Sequence, residues 1–203
     1  MPIEIRPCQT PEEMRQYDAM GAYVFASPEI GNPDVQTQPE WTLCAFDGDR
    51  VVSQVGAFPF TMRLNGAPVS TAGVTMVGTL PAYRRQGLLR KLMTRAFEDQ
   101  RARGQSVAIL WASMGAIYQR FGYGIASSLV RYTFDPRTAA LQEPFEALGR
   151  VSLEPVEDAY PTIKQLYVEW ATPRNLTLHR SRALWQASTL RAEPKEHGLY
   201  VAV

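Results

Sequence analysis

The strongest constraint on the fold is a strand, a basic turn, an amphipathic helix and a second strand that follow one another. The β-type stretch "TAGVTMVGTL" ends just before Pro81, and from Leu89 apolar residues recur at helical spacing. Gly104 is a suitable helix end. The almost uniformly apolar "SVAILWAS" that follows is typical of a strand buried on both faces of an α/β sheet. This order predicts a βαβ unit.

The residues before this unit predict a capped helix and an antiparallel meander. Thr10 and Glu13 have the spacing of a capping box at the start of a helix. The stretch "WTLCAFDGDRVVSQVGAFPF" predicts two strands, 41–46 and 51–58, joined by a turn. Asn65-Gly66 marks the next turn and leads into the strand that ends before Pro81.

Composition excludes several classes of partner. Lys and Arg number 21 against 20 Asp and Glu, so a net charge of +1 exerts no global attraction on nucleic acid or membranes. No apolar run approaches the roughly 20 residues that a membrane span requires. The polar N-terminus is unlike a secretory signal. Two cysteines and two histidines, with no CxxC, predict no metal site and a cytoplasmic, reducing location.

The turn "RRQGLL" is the place where the sequence favours binding of an anion. A glycine turn that opens a helix presents free backbone N–H groups, and Gly87 allows close approach of a ligand. Arg84, Arg85 and Arg90 add charge-assisted donors. The pattern alone leaves a solvated basic turn as an open alternative. Neither GxxxxGK[ST] nor GxGxxG occurs, and no stacking aromatics accompany the arginines, which disfavours nucleic-acid binding.

The order of elements around "RRQGLL" resembles the GNAT N-acetyltransferase fold. Within that superfamily, "AGVTMVGTLPAYRRQGLLRKLM" and "WASMGAIYQRFGYGIAS" resemble the acetyltransferases named for enhanced intracellular survival. Those proteins carry R-R-x-G-[IL]-L-R and S-x-x-x-I-Y-x-R-F-G-Y-G, and residues 117–124 agree at every defined position. The resemblance covers residues 1–135 well. It implies an α/β (α+β) fold with a mixed central sheet flanked by helices.

The resemblance also implies a binding site for acetyl-CoA. The strand that faces the pantetheine corresponds to Val77, Gly78 and Thr79. The turn that holds the pyrophosphate corresponds to Arg85, Gln86, Gly87, Leu88, Leu89 and Arg90, with Leu89 where most GNAT proteins have Gly or Ala. A further cofactor contact corresponds to Ser113, with Met114 where the family often has an acidic residue.

The tyrosine of the second motif, Tyr118, corresponds to the family's proposed general acid. A phenol with a pKa near 10 can protonate a departing thiolate whose conjugate acid has a pKa of about 8–9. The residues alone do not separate Tyr118 from Tyr123, five positions further on.

The second half of the chain begins like the first. "VSLEPVEDAYPTIKQLYVEW" echoes "IEIRPCQTPEEMRQYDAM", which predicts an acetyl-CoA-binding GNAT domain over 1–150 and an incomplete second GNAT-like domain over 151–203. The similar family has two such domains and a third, whose terminal carboxylate is its proposed base. No base can therefore be assigned in this chain, which we expect to be the N-terminal portion of a longer protein or a shortened relative.

The sequence thus predicts an acetyl-CoA-dependent N-acetyltransferase that modifies a primary amine, either an aminoglycoside-like polyamine or a lysine side chain. By resemblance it can also form a homo-oligomer. The alternative is a non-catalytic GNAT-like module that binds acyl-CoA or serves only as a scaffold.

Overall fold

The computed structural model describes residues 2–26, 36–135, 137–140, 143, 153–187, 190 and 200–202. Its longer strands lie in the first half of the chain. The strands are β1 (Glu4–Arg6), β2 (Thr42–Asp47), β3 (Arg50–Leu64), β4 (Ala67–Thr79), β5 (Val107–Leu110), β6 (Leu153–Pro155), β7 (Thr177–Leu178) and β8 (Tyr200–Ala202). The helices are α1 (Pro11–Phe25), α2 (Leu88–Ala102), α3 (Val156–Ala171) and α4 (Arg182–Ala187).

The central sheet is mixed, as the sequence predicts. Its order is β1-β2-β3-β4-β5, in which β4 and β5 are parallel and the other neighbours are antiparallel, and β7 pairs with β3. β3 extends to Leu64, further than the predicted 51–58. The reason is the tight turn at Asn65 and Gly66, where φ angles of 50° and 82° allow both strands of the hairpin to pair along their full length.

Helices α1 and α2 cover opposite faces of this sheet. Leu88, Leu92 and Met93 of α2 are buried against one face, together with Leu43 of β2. α1 covers the other face, where its buried residues pack with the next residue of β2, Cys44. Because successive side chains of a strand point to opposite faces, a single strand contributes to both cores.

β4 departs from regular geometry near its carboxyl end. Thr75 pairs with Gly56 of β3 and Gly78 pairs with Gln54, so β4 has one more residue than β3 between these pairs. Met76 lies in this bulge with a φ of 54°. β5 pairs with β4 only as far as Val74. Residues 75–79 of β4 therefore have no neighbour on the β5 side among the described residues.

The expectation that β5 is buried on both faces is wrong. All four of its residues are only half-buried, and Trp111, which follows it, is 83% exposed. The physical reason is that β5 is an edge strand: within the part of the chain that the structure describes, it pairs with β4 alone.

The second half begins with the same order of elements as the first. β6 leads into α3 and pairs antiparallel with β8, much as β1 leads to α1 and pairs with β2. The boundary at residue 150 remains a prediction, and residues 144–152 lie outside the described residues. No helix within the described ranges is both long and apolar enough to cross a membrane.

The predicted capping box at the start of α1 is present and is reinforced by an arginine. Thr10 Oγ1 accepts a hydrogen bond from the Glu13 N–H at 3.2 Å, and the Glu13 carboxylate accepts one from the Thr10 N–H. Arg6 donates to both oxygens of that carboxylate, at 2.7 and 3.0 Å. These bonds, with Arg6 the largest cause, lower the pKa of Glu13 from 4.5 to about 2.

We therefore expect the free energy of unfolding to fall as the pH is lowered from 4.5 to 2, because Glu13 takes up a proton over this range. The sign follows from the lowered pKa, because the folded state favours the carboxylate. Glu13→Gln should lower the unfolding free energy at pH 7 by about 1–2 kcal/mol and flatten this part of the pH profile. Urea denaturation across that range measures both effects.

Glu12→Gln is the matched control. Glu12 is 62% exposed and pairs with Arg15 across the helix surface, so its loss should cost less than about 0.5 kcal/mol. An identical pH profile for the wild type and Glu13→Gln would contradict the role of Glu13.

Candidate functional site

The basic turn between β4 and α2 is held in a tight conformation. Arg85 and Gly87 both have left-handed backbone angles, with φ of 62° and 77°. The Arg84 side chain donates from Nε to the carbonyl of Thr79 at 3.3 Å, and Gln86 donates from Nε2 to the carbonyl of Ala82 at 3.2 Å. The first bond ties the turn back to the end of β4, and the second lies within the turn.

The first amides of α2 are left without intrahelical partners. Gly87 occupies the N-cap and offers no capping side chain, and the first intrahelical bond runs from the Lys91 N–H to the Gly87 carbonyl at 3.1 Å. The N–H groups of Leu88, Leu89 and Arg90 precede that bond. They lie at the positive end of the helix dipole, where an anion is stabilised.

The predicted pyrophosphate residues divide into two kinds. The Leu88 side chain is buried in the core and Leu89 packs against it, so these two residues can offer a ligand only their backbone amides. The side chains of Arg85, Gln86 and Arg90 are exposed and can reach an anion at the turn. A Cβ on Gly87 would meet no atom within 4 Å, so the backbone there is open to approach.

The predicted pantetheine strand is the part of β4 beyond the last β5 pair. Val77 and Gly78 belong to this free edge, as does Thr79. The hydroxyls of Thr79 and Ser53 lie 2.7 Å apart, and Ser53 also donates to the Gly78 carbonyl at 3.0 Å. These bonds hold the end of β4 on β3 although it has lost its other neighbour.

Ser113 and Met114 lie shortly after the carboxyl end of β5, and both are exposed. Because β4 and β5 are parallel, their carboxyl ends meet at the same edge of the sheet. The free edge of β4, the basic turn and the start of the segment after β5 therefore share this edge.

The structure separates the two tyrosines that the sequence left equivalent. Their rings meet edge to face, with centroids 5.7 Å apart. Tyr123 also packs against Phe97 of α2, and its buried hydroxyl has no hydrogen-bond partner among the described residues. Burial, and then the neighbouring Tyr118, raise the pKa of Tyr123 strongly, whereas half-burial raises the pKa of Tyr118. Tyr123 is a packing residue, and Tyr118 lies nearer the surface.

A separate cavity lies outside this region. Its volume is about 640 Å³, and it opens between the carboxyl end of α2 and the amino end of β5, with Tyr123 in its wall. Its lining includes neither the basic turn nor Tyr118. Because it lies at the opposite end of α2 from Gly87, it is not part of the candidate site.

Sequence reasoning missed two features of the site. The bulge at Met76 can be seen only from the register of β4 on β3. Gln54 is fully buried opposite Gly78, in a strand otherwise rich in apolar residues. A polar residue among apolar neighbours was the only signal for Gln54 in the sequence.

Comparison with known proteins identifies the family to which this fold belongs. Residues 4–126 match the family model described as acetyltransferase (GNAT) domain. An uncharacterized N-acetyltransferase of Streptomyces avermitilis is 37% identical over 127 residues, which is 62% of this chain and 31% of that protein. N-acetyltransferase Eis of Mycobacterium tuberculosis is 36% identical over 146 residues, which is 68% of this chain and 36% of Eis.

Solved structures show the same fold over a longer stretch. The crystal structure of Eis1 from Mycobacterium abscessus aligns with the whole chain at a TM-score of 0.77 and 26% identity, and the chain covers 51% of it. A GCN5-related N-acetyltransferase from Anabaena variabilis aligns at a TM-score of 0.73 and 18% identity, over 99% of this chain and 51% of that one. The chain thus spans about a third to a half of the length of these proteins. With more than half of its residues matching the family model, it belongs to the GNAT acetyltransferase family and resembles Eis.

Proposed function

We propose that the protein binds acetyl-CoA and transfers its acetyl group to a primary amine. The observation that carries this proposal is the position of an uncapped helix N-terminus, flanked by arginines, beside a strand edge that has no neighbour on the β5 side among the described residues. The helix N-terminus suits the phosphates of CoA, and the free strand edge suits the amide groups of its pantetheine arm. The names of the similar proteins support the same activity.

Each part of the turn would contribute to donor binding in its own way. The amides of Leu88, Leu89 and Arg90 would donate to the pyrophosphate oxygens, and the Arg85 side chain would add a charge-assisted bond. Leu88 would fix the position of these amides, because its side chain is anchored in the core. Val77, Gly78 and Thr79 would bind the pantetheine arm through their main chain.

The donor brings the acetyl group as a thioester, which a neutral amine attacks at the carbonyl carbon. An N–H of the free β4 edge would stabilise the negative charge that develops on the carbonyl oxygen. As the C–S bond breaks, Tyr118 would donate its phenolic proton to the departing sulfur. The nitrogen would release one proton to solvent, and a proton from solvent would restore the phenol, so that the products are the amide and the CoA thiol. Partial burial raises the pKa of Tyr118, so the phenol stays protonated at neutral pH and is available as an acid.

The acceptor proposed from the resemblance is an aminoglycoside-like polyamine or a lysine side chain. We also propose a cytoplasmic location and, as in the similar family, a homo-oligomeric assembly. The assay that separates an enzyme from a non-catalytic module follows the release of free CoA thiol in the presence of amines. A module would bind acetyl-CoA without releasing the thiol.

The turn can be tested with Gly87→Glu, which places a negative charge at the phosphate site. We expect the affinity for acetyl-CoA, measured by calorimetry, to fall by at least about tenfold, because like charges would be held close together. The left-handed φ at this position should also cost about 1–2 kcal/mol of stability.

Gly104→Glu is the matched control. Gly104 has a φ of 74° and equally open surroundings, but it lies beyond the other end of α2. It should lose similar stability and keep its affinity for acetyl-CoA. An unchanged affinity in a folded Gly87→Glu variant would rule out the turn as the phosphate site.

Tyr118 can be tested with Tyr118→Phe, which removes only the hydroxyl. We expect kcat to fall by about a hundred- to ten-thousand-fold, the usual contribution of a general acid, with little change in acetyl-CoA affinity. Tyr123→Phe should cost far less, because that hydroxyl is buried against α2. Equal kcat for the wild type and Tyr118→Phe, with chemistry rate-limiting, would exclude Tyr118 as the acid.

A further inference from the structure

Gln54 is a fully buried amide without a hydrogen bond. Its exposed fraction is 0%, and neither Oε1 nor Nε2 has a partner among the described residues. Leaving a buried polar group unpaired typically costs about 1–3 kcal/mol, so such a group in a folded protein requires an explanation. Another buried glutamine, Gln105, donates from Nε2 to the carbonyl of Thr71 at 3.2 Å, and only its Oε1 is without a partner among the described residues. Gln54 differs in that both of its polar atoms are unpaired.

The position of Gln54 connects it to the proposed site. It pairs across the sheet with Gly78, in the part of β4 that we assign to the acetyl donor. Its Nε2 lies 3.6 Å from the point where a Cβ on Gly21 of α1 would stand. The Met76 thioether lies against the same point. The Gln54 amide therefore lies under the bulge, on the face of the sheet that α1 covers.

Glycines hold α1 unusually close to the sheet around this amide. A Cβ on Gly78 would lie 2.9 Å from Val24, and a Cβ on Gly56 would collide with the Tyr17 hydroxyl. Met76, in contrast, is partly exposed and has three rotatable bonds. Of Tyr17, Val24 and Met76, the side chain that can most easily rotate aside is therefore that of Met76.

We propose, on the basis of the proposed function, that Gln54 determines acceptor specificity by binding an amine that carries a neighbouring hydroxyl. Oε1 accepts a hydrogen bond from the reacting amine, and Nε2 donates one to the hydroxyl oxygen. Both polar atoms of Gln54 are then satisfied, and the lone pair of the amine stays free to attack the thioester.

A simple alkylamine cannot satisfy both polar atoms of Gln54 and keep its lone pair free. Its nitrogen is its only polar atom, so satisfying Nε2 would occupy the lone pair that must react. The acceptor that Gln54 favours is therefore an amino alcohol, whereas a lysine side chain, with its single nitrogen, is disfavoured. A site with a buried donor discriminates strongly against a substrate that lacks the matching group.

A matched pair of small probes tests this inference. Each of 1-amino-2-propanol and propylamine, which differ only by the hydroxyl, is titrated by calorimetry into the protein saturated with CoA, so that no turnover is needed. The variant is Gln54→Met, which keeps the unbranched shape and removes both hydrogen-bonding groups. We expect the wild type to prefer the amino alcohol, and the ratio of the two affinities to fall by about tenfold in the variant.

The two amines differ in basicity, but this difference is the same for both proteins. It therefore cancels when the affinity ratio of the variant is compared with that of the wild type. Gln105→Met is the control: it makes the same change in a buried glutamine on the loop that leads into β5, and it should leave the ratio unchanged. The melting temperature of Gln54→Met should stay equal or rise, since an unpaired buried amide has been removed.

An equal affinity ratio in the wild type and Gln54→Met overturns the inference, and so does a wild type that binds CoA but neither amine. In both cases CoA binding is intact, so the proposed donor site stands. Failure of the wild type to bind acetyl-CoA overturns the proposed function and this inference with it.

Discussion

The candidate site depends on one constraint, the early end of the pairing between β4 and β5. The two strands share hydrogen bonds only up to Val74 and Leu110, and β4 then continues through a bulge at Met76. A strand edge in the middle of a sheet is ordinarily occupied by its neighbour. Here the edge of residues 75–79 is free on the β5 side among the described residues, and it leads directly into the basic turn. The free main chain of β4 and the amides of the basic turn are thereby brought together at one edge of the sheet.

Packing on both faces holds this open arrangement in place. Leu88 and Leu92 anchor α2 on one face, so the amides at its N-terminus have fixed positions. On the other face α1 approaches closely at Gly21 and Gly78, where a side chain would collide with Met76 or Val24. The polar groups that remain between these layers, above all Gln54, are confined by the packing. An open edge on a rigid support is a favourable arrangement for a binding site, because little order has to be gained when a ligand binds.

Local sequence predicted the helices and strands well, but it predicted the burial of their side chains poorly. The capping box at Thr10 and the helix that begins at Leu88 follow from short-range rules of capping and periodicity, and both are confirmed. The burial of β5 was misjudged, because an apolar composition does not reveal whether a strand lies in the centre or at the edge of a sheet. The assigned roles of Tyr118 and the turn residues come from resemblance and remain predictions. Gln54 was missed, since its burial depends on α1 and β4, which are distant in sequence.

The sequence by itself determined the order of strands and helices, the basic glycine turn and the similarity to the GNAT family, because each is recorded in neighbouring residues. Only the tertiary structure decided where β4 leaves β5, which side chains of the turn are buried, and which of the two tyrosines packs against α2. These properties arise from contacts between residues far apart in the chain. Their energies depend on the close packing of two helices on one sheet, which no short stretch of sequence encodes.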